Sequence, residues 1–358
     1  MRILIATDAW KPQVNGVVRT YENLKRELEA TGNPVTMLSP QDFHTVPCPG
    51  YPEIRLALPR PSVIARHLDR GGYDHVHIAT EGPIGWATRA LCLKRRIRFT
   101  TSFHTRFPEY LKAYLGLPVS ITYAIQRRFH QRAMATLVAT ASLKSDLERR
   151  GFQRLLLWPR GVDRTQFRPR PELARRCVPA FLYVGRVSKE KNVESFLNLD
   201  LPGRKVVVGD GPLLAGLRKR FPDVDFKGAK RGEDLAREYS AADVFVFPSR
   251  TDTFGLVLLE AMASGLPIAA FPVTGPIDIV TPGRTGYLSE DLRAAAIEAL
   301  SLDRKLIRAQ SAQHAWSRVA DIFLANINEA RRLPGFGDCP LKAKKKSPSM
   351  KPSAKAVI

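Results

Sequence analysis

The sequence predicts an α/β protein built from two doubly wound, Rossmann-like domains that face each other across a deep cleft. Short apolar or β-branched runs alternate with helical stretches through the first half of the chain. The same alternation restarts after a polar segment rich in proline and arginine. At 358 residues the chain is long enough for two domains of ordinary size. Such alternation is the mark of parallel βαβ units.

In order, Arg2–Thr7 reads as a strand and Tyr21–Thr31 as an amphipathic helix with Leu24 and Leu28 four apart. Val35–Leu38, Val76–Ala79, Phe99–Phe103 and Leu137–Ala139 follow as strands with helices between them. Residues 1–165 are expected to form the first domain and 166–176 a linker. The second domain, 177–333, opens with Ala180–Val184 and continues through Lys205–Val208, Asp225–Lys227, Val244–Phe247 and Ile268–Phe271. A last helical region spans roughly Asp291–Arg332, and residues 334–358 read as a basic disordered tail.

Composition narrows the function. Charged residues are 25% and hydrophobic ones 44%, normal for a folded protein. Cys48, Cys92, Cys177 and Cys339 are scattered without CxxC or zinc-like spacing, which suits a reducing cytoplasm. Met1–Ala6 runs straight into Asp8, too short for a signal peptide, and no window reaches the length of a membrane span. The net charge is +22; the tail from Pro334 carries six lysines and one aspartate, a net +5, which leaves +17 on residues 1–333. A body this basic implies an anionic partner: nucleic acid, anionic lipid or a phosphorylated substrate. No nucleic-acid recognition motif is present, so no nucleic-acid partner is expected.

The most informative segment runs from Ser249 to Pro267, behind the buried strand Val244–Phe247. Asp252 precedes a helix over Gly255–Ala263 and Glu260 lies in its second turn, among Leu258, Leu259, Ala261 and Met262. A glutamate there is costly to bury unless it is hydrogen-bonded. Eight helical residues span roughly 12 Å, beyond the ~5–9.5 Å of a glycosidase pair. The two carboxylates therefore read as grips on separate parts of one polar ligand, or else as a cap and a core Glu260 paired to an arginine.

Other cues fall at predicted strand ends. Gly185 follows Ala180–Val184 and lets the backbone turn sharply; Arg186 and Lys191 place two cations at the strand-to-helix turn, suited to a diphosphate. Gly209-Asp-Gly-Pro212 ends the next strand, without the third glycine of a dinucleotide fingerprint, and no GxxxxGK[ST] loop occurs. Asn15 and Gly16 suggest a tight turn whose amides face the cleft. Of seven histidines, His104 has the most functional position, at the edge of Phe99–Phe103.

The order Asn15-Gly16-Val17, Phe103-His104-Thr105, Gly185-Arg186…Glu190-Lys191, Gly209-Asp-Gly-Pro212 and Asp252-Thr-Phe-Gly255…Glu260-Ala261 resembles the GT-B glycosyltransferases of family 4. Ser249–Gly255 and Phe271–Asp278 resemble a bacterial branch of GDP-mannose-dependent α-mannosyltransferases and diacylglycerol glycosyltransferases. The resemblance implies a retaining, metal-independent hexosyltransferase with a UDP- or GDP-sugar donor and no cofactor. It implies that Arg186 and Lys191 hold the donor diphosphate and Glu260 the ribose hydroxyls. Asp252 with the amides of Thr253, Phe254 and Gly255 would hold the donor sugar, and Lys230 would lie near the base. His104 would stand on the acceptor side, and Gly16 would leave room beside the phosphates. Two departures stand out: Asp252 replaces the usual glutamate, and Asn15 the first of two glycines, where left-handed geometry is tolerable.

Fixed cations suffice to meet charge on a departing diphosphate, so no metal site is expected. Asp223-Val-Asp225 looks like a DxD motif by chance, having no companion ligands. For the acceptor side, Ile121, Ile125, Phe129, Ala133 and Leu137 recur every four residues, with Lys112, Arg127, Arg128 and Arg132 nearby. This reads as a basic amphipathic face at an anionic membrane, or as an ordinary core-facing helix. The expectation is a peripheral enzyme at the inner face of the membrane acting on a lipid such as diacylglycerol or a glycolipid. The rivals are a transferase with a soluble or polysaccharide acceptor and a nucleotide-sugar epimerase.

Overall fold

Continuous apolar runs make strands that are covered on both faces, and Ile3, Leu4, Ile5 and Ala6 are all fully buried. The computed structural model describes residues 1–13, 15–48, 51–106, 108, 116, 118–173, 178–252 and 254–333. In the first half the order is β1 (Ile3–Ala6), α1 (Gly16–Ala30), β2 (Val35–Leu38), β3 (Thr45–Cys48), β4 (Tyr51–Ala57), α2 (Pro61–Arg70) and β5 (His75–Ile78). Then come α3 (Pro83–Lys94), β6 (Phe99–Phe103), α4 (Val119–His130), β7 (Thr136–Val138), α5 (Ala141–Arg149) and β8 (Leu155–Leu157). The sheet order is β2-β1-β5-β6-β7-β8, every pair parallel, with β3 and β4 as a separate antiparallel pair.

The second half begins with β9 (Ala180–Val184), α6 (Val193–Leu197), β10 (Arg204–Val208), α7 (Leu214–Arg220), β11 (Asp225–Gly228) and α8 (Gly232–Ser240). It continues with β12 (Val244–Phe247), α9 (Leu256–Ala263), β13 (Ile268–Ala270), α10 (Pro276–Ile279), β14 (Gly286–Leu288), α11 (Leu292–Ala299), α12 (Arg304–Gln310) and α13 (Trp316–Arg332). Its parallel sheet runs β11-β10-β9-β12-β13-β14. Strand order reverses between β9 and β12 here and between β1 and β5 in the first sheet. Ligands of doubly wound folds collect beyond the carboxyl ends of the strands at such reversals.

The structure departs from the sequence expectation in three places. Helix α1 starts at Gly16, five residues earlier than expected, because the Asn15 side chain accepts from the Val17 and Val18 amides (3.0 Å each). Asn15 is extended, with φ −151°, so it acts as a helix cap and not as the left-handed turn residue expected. Residues 177–333 were expected to form one domain, yet α13 leaves the second half and packs on the first. Its apolar stripe of Trp316, Val319, Phe323 and Ile327 shares a core with Tyr21, Leu24, Leu28 and Trp158, and Asn326 donates to the Leu157 carbonyl (2.9 Å). A helix with that stripe must bury it somewhere, and the groove beside α1 is apolar.

Residues 166–173 of the expected linker are also pinned. Phe167 is buried in the second domain's core, and Arg170 Nη2 donates to both carboxylate oxygens of Glu233 (2.6 and 2.7 Å). Among the described residues no helix is long and apolar enough to cross a membrane.

Candidate active site

The loops that leave β9 and β12 are tied together at the reversal point of the second sheet. A side chain at Gly209, directly after β10, would run into the Gly185 carbonyl, so glycine is required where the ends of β9 and β10 meet. The Tyr183 hydroxyl donates to the Arg186 carbonyl (2.7 Å). Burial, then the charges of Asp252 and Glu190, hold the Tyr183 pKa well above its ordinary value, so it remains a donor. Asn192 is left-handed (φ 53°) after the turn Lys189–Lys191, and its amide donates to the Pro248 carbonyl (3.1 Å).

That arrangement brings Lys191 Nζ to 2.5 Å from Asp252 Oδ1. The other oxygen, Asp252 Oδ2, is buried and has no hydrogen-bond partner. A buried carboxylate oxygen without a donor is costly. Thr253 lies outside the described residues. Phe254 is buried in the core of the second domain, and Gly255, at φ 85°, starts α9 where a Cβ would crowd Leu258 at 3.0 Å.

Glu260 is only 6% exposed. Its Oε1 accepts from Arg19 Nη1 of α1 (2.8 Å) and its Oε2 from the Tyr239 hydroxyl (2.9 Å). The pairing to an arginine that the sequence left open is therefore present, but the arginine belongs to the opposite domain. Burial raises the Glu260 pKa above the ordinary value, and the Arg19 charge and the Tyr239 bond oppose that rise. Arg19 and Tyr239 were not anticipated: Arg19 lies 241 residues from Glu260 in sequence, and no local pattern links them.

Between the domains runs a cavity of about 590 Å³ lined by Arg19 and Asn23 of α1, Arg231 and Gly232 at the start of α8, and Glu260. Lys230, directly before Arg231, is half-buried and is not among the cavity's lining residues. Lys191 and Asp252 are not among the cavity's lining residues. Gly16 faces the other domain, where a Cβ would touch Leu256 at 3.5 Å. Further bonds cross the gap from Arg106 to Thr274 (3.1 Å) and from the Ser142 amide to Asp278 (2.9 Å).

His104 is held by both ring nitrogens. Arg160 can only donate, so its Nη2 bonds to an accepting Nδ1 (3.1 Å). The remaining ring proton then lies on Nε2, 2.9 Å from the Tyr21 oxygen. Burial, then Arg160, drives the His104 pKa well below its ordinary value, and the ring is neutral. Tyr21 passes the chain of bonds to His77 (2.9 Å) and Thr100 (2.8 Å). Arg160 is itself buried, its guanidinium 4.4 Å from the Trp158 ring centroid, and its pKa is pushed down to about 10 by burial.

On α4, Ile121, Ile125 and Arg128 are exposed, as is Arg132 just past its end, whereas Phe129 is buried, as are Ala133 and Leu137 beyond the helix. The expected five-residue stripe thus splits between solvent and core. Arg127, expected on the membrane side, is exposed, and its Nη1 donates to the Arg150 carbonyl at the end of α5 (2.9 Å), an acceptor that the helix terminus leaves unmet. Lys112 lies outside the described residues. Of the DxD-like pair, Asp225 is taken by Lys227 (2.8 Å) and Arg204 (3.9 Å) in a surface ion network.

Comparison with known proteins agrees with this architecture. The family profile described as Glycosyltransferase Family 4 matches residues 14–166, and that of Glycosyl transferases group 1 matches residues 178–303. A GDP-mannose-dependent alpha-mannosyltransferase of Mycobacterium tuberculosis is 32% identical over 80% of this chain and 83% of its own length. An alpha-monoglucosyldiacylglycerol synthase of Streptococcus pneumoniae is 26% identical over 91% of this chain and 86% of its own. Among solved structures, the Anabaena protein Alr3699/HepE in complex with UDP superposes with a TM-score of 0.69 at 16% identity, covering 92% of this chain and 100% of that one. The chain belongs to the family 4 glycosyltransferases and is a hexosyltransferase of GT-B fold.

Proposed function

We propose that this enzyme moves a hexose from a UDP- or GDP-sugar to a membrane lipid, with retention of configuration and without a divalent ion. The observation that carries the reading is the Lys191–Asp252 pair at the second sheet's reversal point, with Asp252 Oδ2 buried and unmatched. Lys191 and Arg186 would hold the donor diphosphate, Asp252 with the Gly255 region the donor sugar, and Glu260 the ribose, with the base toward Lys230. As the bond from the sugar's anomeric carbon to the phosphate oxygen breaks, negative charge gathers on the diphosphate. Two fixed cations lower the energy of that state. The acceptor hydroxyl then bonds to the anomeric carbon from the same face, and its proton passes to the departing phosphate oxygen. His104, neutral and bonded at both nitrogens, serves position and not proton transfer in this scheme.

The lipid acceptor is supported by the exposed face of α4, where Ile121 and Ile125 stand beside Arg128 and Arg132. The +17 carried by residues 1–333, the chain's +22 less the tail's +5, points the same way, as does the name of the S. pneumoniae relative. Each basic side chain near an anionic surface contributes about 1 kcal/mol. Sedimentation with anionic but not neutral liposomes is expected, lost at high salt and weakened by Ile121→Asp with Ile125→Asp; binding indifferent to lipid charge would contradict it. A second reading is mannosyl transfer to a soluble or polysaccharide acceptor; the M. tuberculosis relative's name and higher identity favour its mannosyl part and say nothing of the acceptor. A panel of donors against membrane lipid extract, with products read by mass spectrometry, decides between them. A glycosylated lipid supports the first reading. Turnover that needs only a water-soluble acceptor supports the second.

A further inference from the structure

Glu81 stands just beyond β5, at the carboxyl edge of the first sheet where its strand order reverses. Its Oε1 accepts from His130 Nε2 (3.0 Å) and from Gln126 Nε2 (3.4 Å). Both partners sit on the inner side of α4, whose outer side carries Ile121 and Ile125. No described group donates to Glu81 Oε2. Gln126 is 6% exposed, and its Oε1 is buried with no hydrogen-bond partner. The amide cannot be turned over, because that would set its carbonyl against the Glu81 carboxylate. Gln126 Oε1 is thus a buried acceptor without a donor, on a side chain bonded to a carboxylate whose second oxygen accepts from no described group. They lie close to Tyr21 and His104, the latter two residues from Arg106 and its bond across the gap to Thr274: the Glu81 charge acts on Tyr21, and His130 on His104.

We infer that Glu81 and Gln126 form a subsite for the acceptor's head group, one that offers at least two hydroxyl donors, such as a sugar or other polyol. This rests on the transferase reading above and narrows its acceptor to a lipid already bearing a polyol. Hydroxyl groups fit better than an ammonium group, because the buried Arg160 cation bonds His104 nearby.

The test compares two acceptors in mixed detergent micelles, monoglucosyl-diacylglycerol and 1,2-diacylglycerol, with the donor that the panel selects. The wild type is expected to prefer the glycosylated lipid at least tenfold in kcat/KM. Glu81→Gln and Gln126→Leu are each expected to cut that preference tenfold or more, while Kd values for UDP and GDP stay within threefold. Gln126→Leu removes an unmatched buried oxygen at similar volume, so its Tm should hold or rise, which separates lost preference from lost fold. An equal rate on both lipids, no transfer to either while nucleotide binds, or a preference that survives both substitutions overturns the subsite. Failure of the wild type to bind either nucleotide sinks the transferase reading and this inference with it.

Discussion

Lys191→Ala is expected to lower kcat by roughly 10²–10³-fold, the cost typical of deleting one preorganised electrostatic stabiliser. The ammonium group is 2.5 Å from Asp252 and on the loop that Asn192 and Thr251 bind to the β12 end. Its removal leaves the diphosphate with Arg186 alone and leaves the partly buried Asp252 carboxylate without its cation. Donor affinity should fall as well, because the same charge attracts the ground-state diphosphate. The substitution lies outside both hydrophobic cores, so the far-UV spectrum and Tm should change little. Steady-state kinetics with the selected donor reads the effect. A kcat within threefold of the wild type would remove Lys191 from the chemistry.

Glu260→Gln is expected to weaken UDP or GDP binding by roughly 10²-fold, since turning two charge-assisted bonds to ribose hydroxyls into neutral ones costs about 1–1.5 kcal/mol each. The fold should survive, because Gln keeps an acceptor for the Tyr239 hydroxyl and Arg19 is 33% exposed and can hydrate. Titration calorimetry measures it, and unchanged affinity would show that the carboxylate serves only the Arg19 contact. The wild type carries a pH signature of the same group. Glu260 has a raised pKa in the folded state, so the fold favours its protonated form. Its burial therefore destabilises the empty protein progressively as pH rises through that raised pKa. The ionised form is the one that accepts ribose hydroxyls, so nucleotide affinity should fall on acidification already above the ordinary glutamate pKa of 4.5.

Much of this was legible because it is local. Strands buried on both faces, such as Ala180–Val184 and Val244–Phe247, show as unbroken apolar runs, and glycines and cations directly after them mark the ends where ligands collect. Lys191 and Asp252 follow β9 and β12 in this way, and Glu260 lies one helix further on. What joins distant segments was not legible. Arg19 reaches Glu260 across the cleft, Arg160 fixes His104, and α13 returns to the first domain, each through a pairing with no sequence period. The α4 stripe misled for a geometric reason. Residues spaced four apart advance by about 40° per step on a helix of 3.6 residues per turn. Ile121 and Ile125 therefore face outward while Phe129 has rotated into the core.

The central claim is that fixed side-chain cations, and no metal ion, hold the donor diphosphate. Calorimetric titration of the wild type with UDP and GDP in excess chelator tests it most directly. The account predicts saturable binding of at least one nucleotide, unchanged when manganese or magnesium replaces the chelator and lost progressively with added salt. Binding that appears only with a divalent ion, or no binding of either nucleotide, would contradict it.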